Sequence, residues 1–189
     1  MSERLGPIVR LQIHAESLKR DGAYVPVPLI SVERVSLDAS GVLGWDGTGW
    51  IVDVHHTAHP RVRGGGHRAL SVGFTGHYRR MEERFGSIPF GIAAESIVVD
   101  GPAVPSDAIV DGLTVRTSDG AMVELRSPKP AVACTGFTSY LLASPTVLPR
   151  EEIEDDLAFL STGTRGFIVS VDHIDRPIEL SIGDEVFTR

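Results

Sequence analysis

The sequence predicts a mainly β protein: a closed or nearly closed β-barrel with a few short peripheral α-helices. Three observations carry this expectation. Short strand-type runs recur along the chain, each bounded by turn residues. Gly and Pro together make 32 of the 189 residues, about 17% against a typical ~12%, and so supply many turns. Helical spacing is confined to a few segments that do not alternate regularly with the strands, which disfavours a doubly wound parallel sheet. The length suits one domain spanning residues 1–189.

The elements follow in chain order. Ile8 to His14 is a β-branched run after Gly6-Pro7 and reads as a strand, and Lys19-Arg20-Asp21-Gly22 is a turn. Pro26 and Pro28 delay the next strand to about Leu29. Its alternation places Ile30 and Val32 on one face and then slips, so that Val35 and Leu37 continue it. Asp38 to Gly49 is Gly-rich and reads as a loop, Trp50 to Val54 as a strand, and His55 to Gly66 as a polar loop. Ala69 to Val72 is a strand. A helix is predicted from Thr75 to Phe85, with Thr75 as N-cap, Tyr78, Met81 and Phe85 at helical spacing, and Gly86 as the residue that ends it. Ile97-Val98-Val99 is a buried-type strand. Leu113–Thr117 and Met122–Leu125 form a hairpin across a Gly-containing turn. Gly136–Leu142 and Glu151–Leu160 are short helices, the second with acidic residues in its first turn. Gly166–Val171, Pro177–Leu180 and Glu185–Phe187 close the chain as strands.

Charge and cysteine content narrow the function. A net charge of −7 argues against nucleic acid or an anionic membrane surface as a general partner, because both select positive surfaces. One cysteine excludes an internal disulfide, an iron–sulfur cluster or a cysteine-rich zinc site built from this chain alone. The polar start Met1-Ser2-Glu3-Arg4 shows no leader, and no window approaches the ~20 apolar residues of a membrane span. A cytoplasmic protein is the expectation. Gly-x-Ser-x-Gly, Walker A and Gly-x-Gly-x-x-Gly after a strand are all absent.

Several residues are candidates for chemistry. Cys134 stands before Thr135-Gly136, which open a predicted short helix whose amides favour a thiolate. Its alternative role is that of a small buried hydrophobe. His55, His56, His59 and His67 with Arg61, Arg63 and Arg68 form a cationic stretch in an acidic protein. Within it Gly64, Gly65 and Gly66 are suited to turning backbone N–H groups toward an anion, and Arg63 or Arg68 to holding a phosphate bidentately. The alternative is a solvated loop without a ligand. His55 and His59 have zinc-like i, i+4 spacing, but Pro60 argues against a shared helix face. Arg165 follows Ser161-Thr162-Gly163-Thr164, a set suited to an oxyanion or to a plain turn. Ser96 is a candidate donor to a ligand or a strand end, and Glu95 a base or the partner of an arginine. Asp46 and Asp184 sit in Gly-Asp turns and are expected to cap nearby backbone N–H groups. Trp45 and Trp50 either pack the barrel or wall a planar ligand.

The chain resembles the MOSC domain family, named for the C-terminal domain of molybdenum cofactor sulfurase. The resemblance runs from about Ile30 to Phe187 and rests on ordered pieces: Gly41-Val42-Leu43-Gly44-Trp45-Asp46, Gly65-Gly66-His67-Arg68-Ala69-Leu70, Glu95-Ser96-Ile97-Val98-Val99-Asp100-Gly101 with Ser in place of the family's Asn, Cys134-Thr135-Gly136-Phe137, and the closing Arg165-Gly166-Phe167 and Ile182-Gly183-Asp184-Glu185-Val186. It implies a β-barrel. It also implies binding of the molybdenum cofactor (molybdopterin), or carriage of sulfur, in oxidoreductase or sulfur-transfer chemistry; pyridoxal phosphate binding is associated with the same family. Some relatives reduce N-hydroxylated compounds. Under the resemblance Cys134 is the catalytic residue and the metal ligand, since a soft thiolate suits molybdenum. Arg63, Gly65, Gly66, His67, Arg68, Ser96, Thr135 and Arg165 are expected to bind the cofactor, with the arginines at its phosphate. A small-molecule substrate and an electron-donor or sulfur-donor protein complete the expectation. The competing expectation is a ligand-binding or regulatory module that keeps the barrel without molybdenum.

Overall fold

The computed structural model describes residues 2–62 and 70–189. The chain runs through β1 (Arg4–His14), β2 (Lys19–Arg20), β3 (Ala23–Tyr24), β4 (Leu29–Val32), β5 (Arg34–Asp38), β6 (Gly41–Trp45), β7 (Trp50–Val52), β8 (Leu70–Phe74), α1 (Thr75–Phe85), β9 (Ile97–Val99), β10 (Leu113–Arg116), β11 (Met122–Pro130), α2 (Thr135–Leu141), α3 (Glu154–Phe159), β12 (Phe167–Ser170), β13 (Ile178–Ser181) and β14 (Glu185–Thr188). Seven strands close on themselves in the order β14-β10-β11-β12-β8-β9-β1, with β1 returning to β14 and β4 added to the far half of β1. The expected β-barrel with short helices outside it is therefore the observed architecture. The barrel pairs are antiparallel except β8–β9, which are parallel and joined through α1, the kind of crossover that parallel neighbours require. A second antiparallel sheet, β13-β5-β6-β7, completes the β structure.

Two apolar cores meet at the barrel wall. Ile8, Leu11, Val72, Phe74, Val115, Phe167 and Val186 belong to the first, inside the barrel. Tyr78, Met81, Phe137, Leu141, Leu157 and Leu160 belong to the second, beneath the helices. β9 joins them by its two-residue period: Ile97 and Val99 face the first core and Val98 the second. That is why its apolar run is continuous rather than alternating.

Four local expectations are corrected. The segment Asp38–Gly49 is not one loop, because Gly41–Trp45 pairs with β5 and β7 as a strand. Glycine inside it suits this packing: a Cβ on Gly44 would sit 2.9 Å from both Ile13 Cγ2 and Val32 Cγ1. The slip after Val32 is a break between two strands of different sheets, β4 and β5. Thr75 opens α1 but does not cap it; Phe74 holds the cap position, and the Thr75 hydroxyl donates to Asp100 at 2.8 Å. The helix expected at Glu151–Leu160 is a 3₁₀ turn (Arg150–Glu152), then α3, then a wide turn over Leu160–Thr164 that Gly163 breaks with a φ of 102°. Asp46 and Asp184 do cap turns as expected, accepting from the Thr48 and Gly49 amides and from the Ser118 and Ser181 amides.

Candidate functional site

A cavity of about 410 Å³ opens where β1 ends, β9 begins and β11 gives way to α2. Its wall includes His14, Lys19, His55, Glu95, Ser96, Cys134 and Arg165. Five residues singled out from sequence, His55, Glu95, Ser96, Cys134 and Arg165, therefore share one cavity. Thr135 opens α2 and does not line it. Arg63, Gly65, Gly66, His67 and Arg68 lie outside the described residues.

Cys134 sits half-buried at the position that precedes α2. Its carbonyl accepts the Thr138 N–H and the Thr138 hydroxyl at 3.0 and 3.1 Å, which anchors the turn. Burial raises the thiol pKa. The Phe137 backbone N–H, the Arg165 guanidinium and the Lys19 ammonium outweigh burial and hold it below the ordinary thiol value. The helix amide foreseen in the sequence is thus present, and two cations join it.

Arg165 is held by position more than by pairing. Its guanidinium carbon lies 4.4 Å from the Phe137 ring centroid, a cation–π distance. Nη1 donates to the Val132 carbonyl at 3.1 Å. Nε is buried with no hydrogen-bond partner among the described residues. The preceding turn is tied to the cysteine loop, since the Ala133 N–H donates to the Ser161 hydroxyl at 3.1 Å.

Glu95 is 1% exposed. Its Oε2 accepts the Tyr78 hydroxyl at 2.6 Å, while Oε1 has no partner among the described residues. Oε1 packs into the space that a Cβ on Gly73 would take. Burial raises its pKa to about 7, against the opposing pull of Tyr78, Arg165 and Arg10. Ser96 is also buried, and its amide donates to the Ser71 hydroxyl at 3.1 Å. Tyr24 donates to the Ile92 carbonyl at 2.6 Å and meets Phe137 edge-on at 5.0 Å. Burial raises its pKa, so it stays protonated.

His14, Asp53 and His55 bring donor atoms within 4.8 Å of one another. His59, which the i, i+4 spacing pairs with His55, is engaged elsewhere, with Nε2 3.2 Å from the Ala15 carbonyl. Asp53 has one local partner, His55, and one distant in the chain, His14, and only the local one is within reach of a spacing argument. The three groups already satisfy one another and the backbone: Asp53 receives two backbone N–H groups and the His55 ring, and His14 Nε2 is 2.8 Å from the Ala94 carbonyl. This is a hydrogen-bonded cluster rather than an open coordination site. Trp45 and Trp50 do not line the cavity; they meet edge-on at 5.4 Å beneath Arg34 on the second sheet.

The architecture and site define a β-barrel protein with a half-buried thiol opening into a cavity that Lys19 and Arg165 also line. No family model and no curated protein sequence matches the chain. Among solved structures, the chain is similar to the YuaD protein from Bacillus subtilis, at 14% identity over 99% of this chain and 97% of that one, with a TM-score of 0.58. YiiM from Geobacillus stearothermophilus also aligns, at 14% identity over 100% of this chain and 76% of that one, with a TM-score of 0.48. The YuaD likeness shows a shared fold over nearly the whole of both chains. No helix among the described residues is long and apolar enough to cross a membrane.

Proposed function

We propose that this chain is a MOSC-like protein that holds the molybdenum cofactor, or carries sulfur, through Cys134. The observation that carries the reading is an ionisable thiol opening into a cavity of about 410 Å³ beside Arg165 and Lys19. The donor set fits: a soft thiolate for the metal, and a half-buried Arg165 whose buried Nε lacks a partner among the described residues. The volume lies within the ~300–1,000 Å³ of small-molecule sites.

Each residue then has a role in binding. Cys134 would ligate the metal as thiolate. Arg165 and Lys19 would serve the sulfur end, offsetting the negative charge that gathers there. Arg63, Gly65, Gly66, His67 and Arg68, expected from the sequence to bind the cofactor, lie outside the described residues. Bound cofactor would supply two-electron oxidoreductase or sulfur-transfer chemistry. Electrons or sulfur would come from a partner protein.

Metal analysis of protein purified from a cofactor-producing host tests the reading. The expected result is molybdenum in the wild type and its loss in Cys134→Ser. No molybdenum in either, with both folded, overturns it in favour of a ligand-binding module that uses the same barrel.

A further inference from the structure

The hydrogen bonds around His55 fix what its ring can do. Asp53 is 1% exposed. Its Oδ2 accepts the His14 backbone N–H at 2.7 Å, and its Oδ1 accepts the His55 backbone N–H at 2.8 Å. Oδ1 also lies 2.9 Å from His55 Nδ1. Burial opposes ionisation of Asp53, but the His55 ring, His14 and the two backbone N–H groups outweigh it and hold the carboxyl below its usual range. A carboxylate only accepts hydrogen bonds, so His55 Nδ1 carries a proton and Nε2 is left free to exchange one. The side chain is 31% exposed yet lines the cavity, so it reaches both solvent and ligand space. An imidazole oriented by a buried carboxylate beside a nucleophile's cavity is the arrangement that general acid–base chemistry needs.

We propose that His55 is the proton-transfer group of the cavity, a catalytic residue acting through Nε2 on a ligand seated against Cys134, with Asp53 as its positioning residue. The inference rests on reading the cavity as a ligand site entered by Cys134; it does not depend on which cofactor is held there. In the step, the Nε2–H bond of the imidazolium breaks, its proton bonds to the ligand atom that is gaining electron density, and water restores the proton. The imidazole itself exchanges no electrons. Among the described residues, the charged and titratable groups around this ring are Asp53 and His14 beside it and Lys19, Tyr24, Glu95, Cys134 and Arg165 lining the same cavity. His14 meets it edge-on at 5.3 Å. Burial lowers the pKa of His14.

Two reagents at Cys134 separate proton transfer from thiol activation, and neither needs cofactor. Hydrogen peroxide oxidises the thiolate to sulfenic acid: an S–O bond forms, the O–O bond breaks, and the departing hydroxide takes the His55 proton to become water. Iodoacetamide alkylates the same sulfur and releases iodide, which needs no proton. In His55→Gln, which keeps a donor for Asp53, peroxide oxidation at pH 6–7 is expected to slow by about ten- to a hundred-fold, while alkylation changes less than about two-fold. Asp53→Asn should move the limb of the peroxide profile that falls with rising pH to lower pH, because the imidazolium loses its carboxylate. Parallel slowing of both reactions would assign His55 to thiol activation and overturn the proposal, as would unchanged peroxide rates. Molybdenum content is read separately. Selective loss in a chain that never holds molybdenum keeps this inference and sinks only the cofactor reading.

Discussion

Replacing Glu95 with Gln is expected to make the protein less stable at pH 5 and more stable at pH 8. The Glu95 carboxyl is fully buried, and only one of its oxygens has a partner among the described residues. Its pKa is raised from 4.5 in the reference state to about 7 in the fold, chiefly by burial. The folded state therefore keeps a proton that the unfolded state releases between those two values. Stability contributed by the protonated form is fully present below about 4.5 and is lost as pH rises to about 7. At 1.36 kcal/mol per pH unit the full loss is about 3 kcal/mol, of which about 2.5 kcal/mol falls between pH 5 and pH 8. Gln carries no such dependence. It does place an amide where Oε1 has no partner, at a pH-independent cost of about 1–3 kcal/mol. The difference between the two proteins, rather than either curve, isolates the residue, since other groups titrate equally in both. Urea unfolding at 25 °C across pH 5–8 measures it. A difference flat to within about 0.5 kcal/mol would mean that Glu95 is ionised in the folded state throughout, and the argument from burial would fail.

Other outcomes follow from the same geometry. Arg165→Gln removes the cation beside Cys134, so the thiol pKa should rise and iodoacetamide labelling at pH 7 should slow severalfold; unchanged labelling would leave the Phe137 amide and Lys19 as sufficient. Gly44→Ala puts a methyl group 2.9 Å from Ile13 and Val32 and should cost about 1–3 kcal/mol by thermal or urea unfolding. Burial holds His77 down to about 4. Its folded pKa lies below the unfolded value, so stability present above about 6.5 is lost as pH falls to about 4. An NMR titration of the ring that gave an ordinary histidine value would contradict this.

Much of the barrel was legible because strand patterns are local. Ile97-Val98-Val99 and the run into β12 read correctly, since β-branched residues between turns leave few alternatives. The stop at Pro26 and Pro28 placed the start of β4, and Gly86 the end of α1. Sequence erred where a neighbour decided the outcome. Gly44 reads as a loop residue until β1 and β4 press against it and leave no room for a side chain. Thr75 is a good cap by type, but Asp100 and Gly101 compete for its hydroxyl.

The site obeys the same division, and this bears on its chemistry. Cys134 was found because it is the only cysteine, and Arg165 and Ser96 because resemblance placed them. Each is a property that one residue carries alone. The groups gathered around the cavity are relational. Lys19, which with Arg165 lowers the thiol pKa, comes from a two-residue strand, His14 from the end of β1, Asp53 and His55 from beyond β7, and Glu95 from a segment where Ala94 adopts a positive φ of 69°. Their effect depends on distances that no spacing in the chain encodes, such as 2.7 Å between the His14 backbone nitrogen and Asp53 Oδ2. The isolated motif can therefore be retained while the chemistry around it changes, because the thiol pKa is set by Arg165, Lys19 and the Phe137 amide rather than by Cys134 alone. Function in this barrel accordingly depends on the convergence of distant chain segments on one cavity, where Arg165 and Lys19 act on Cys134.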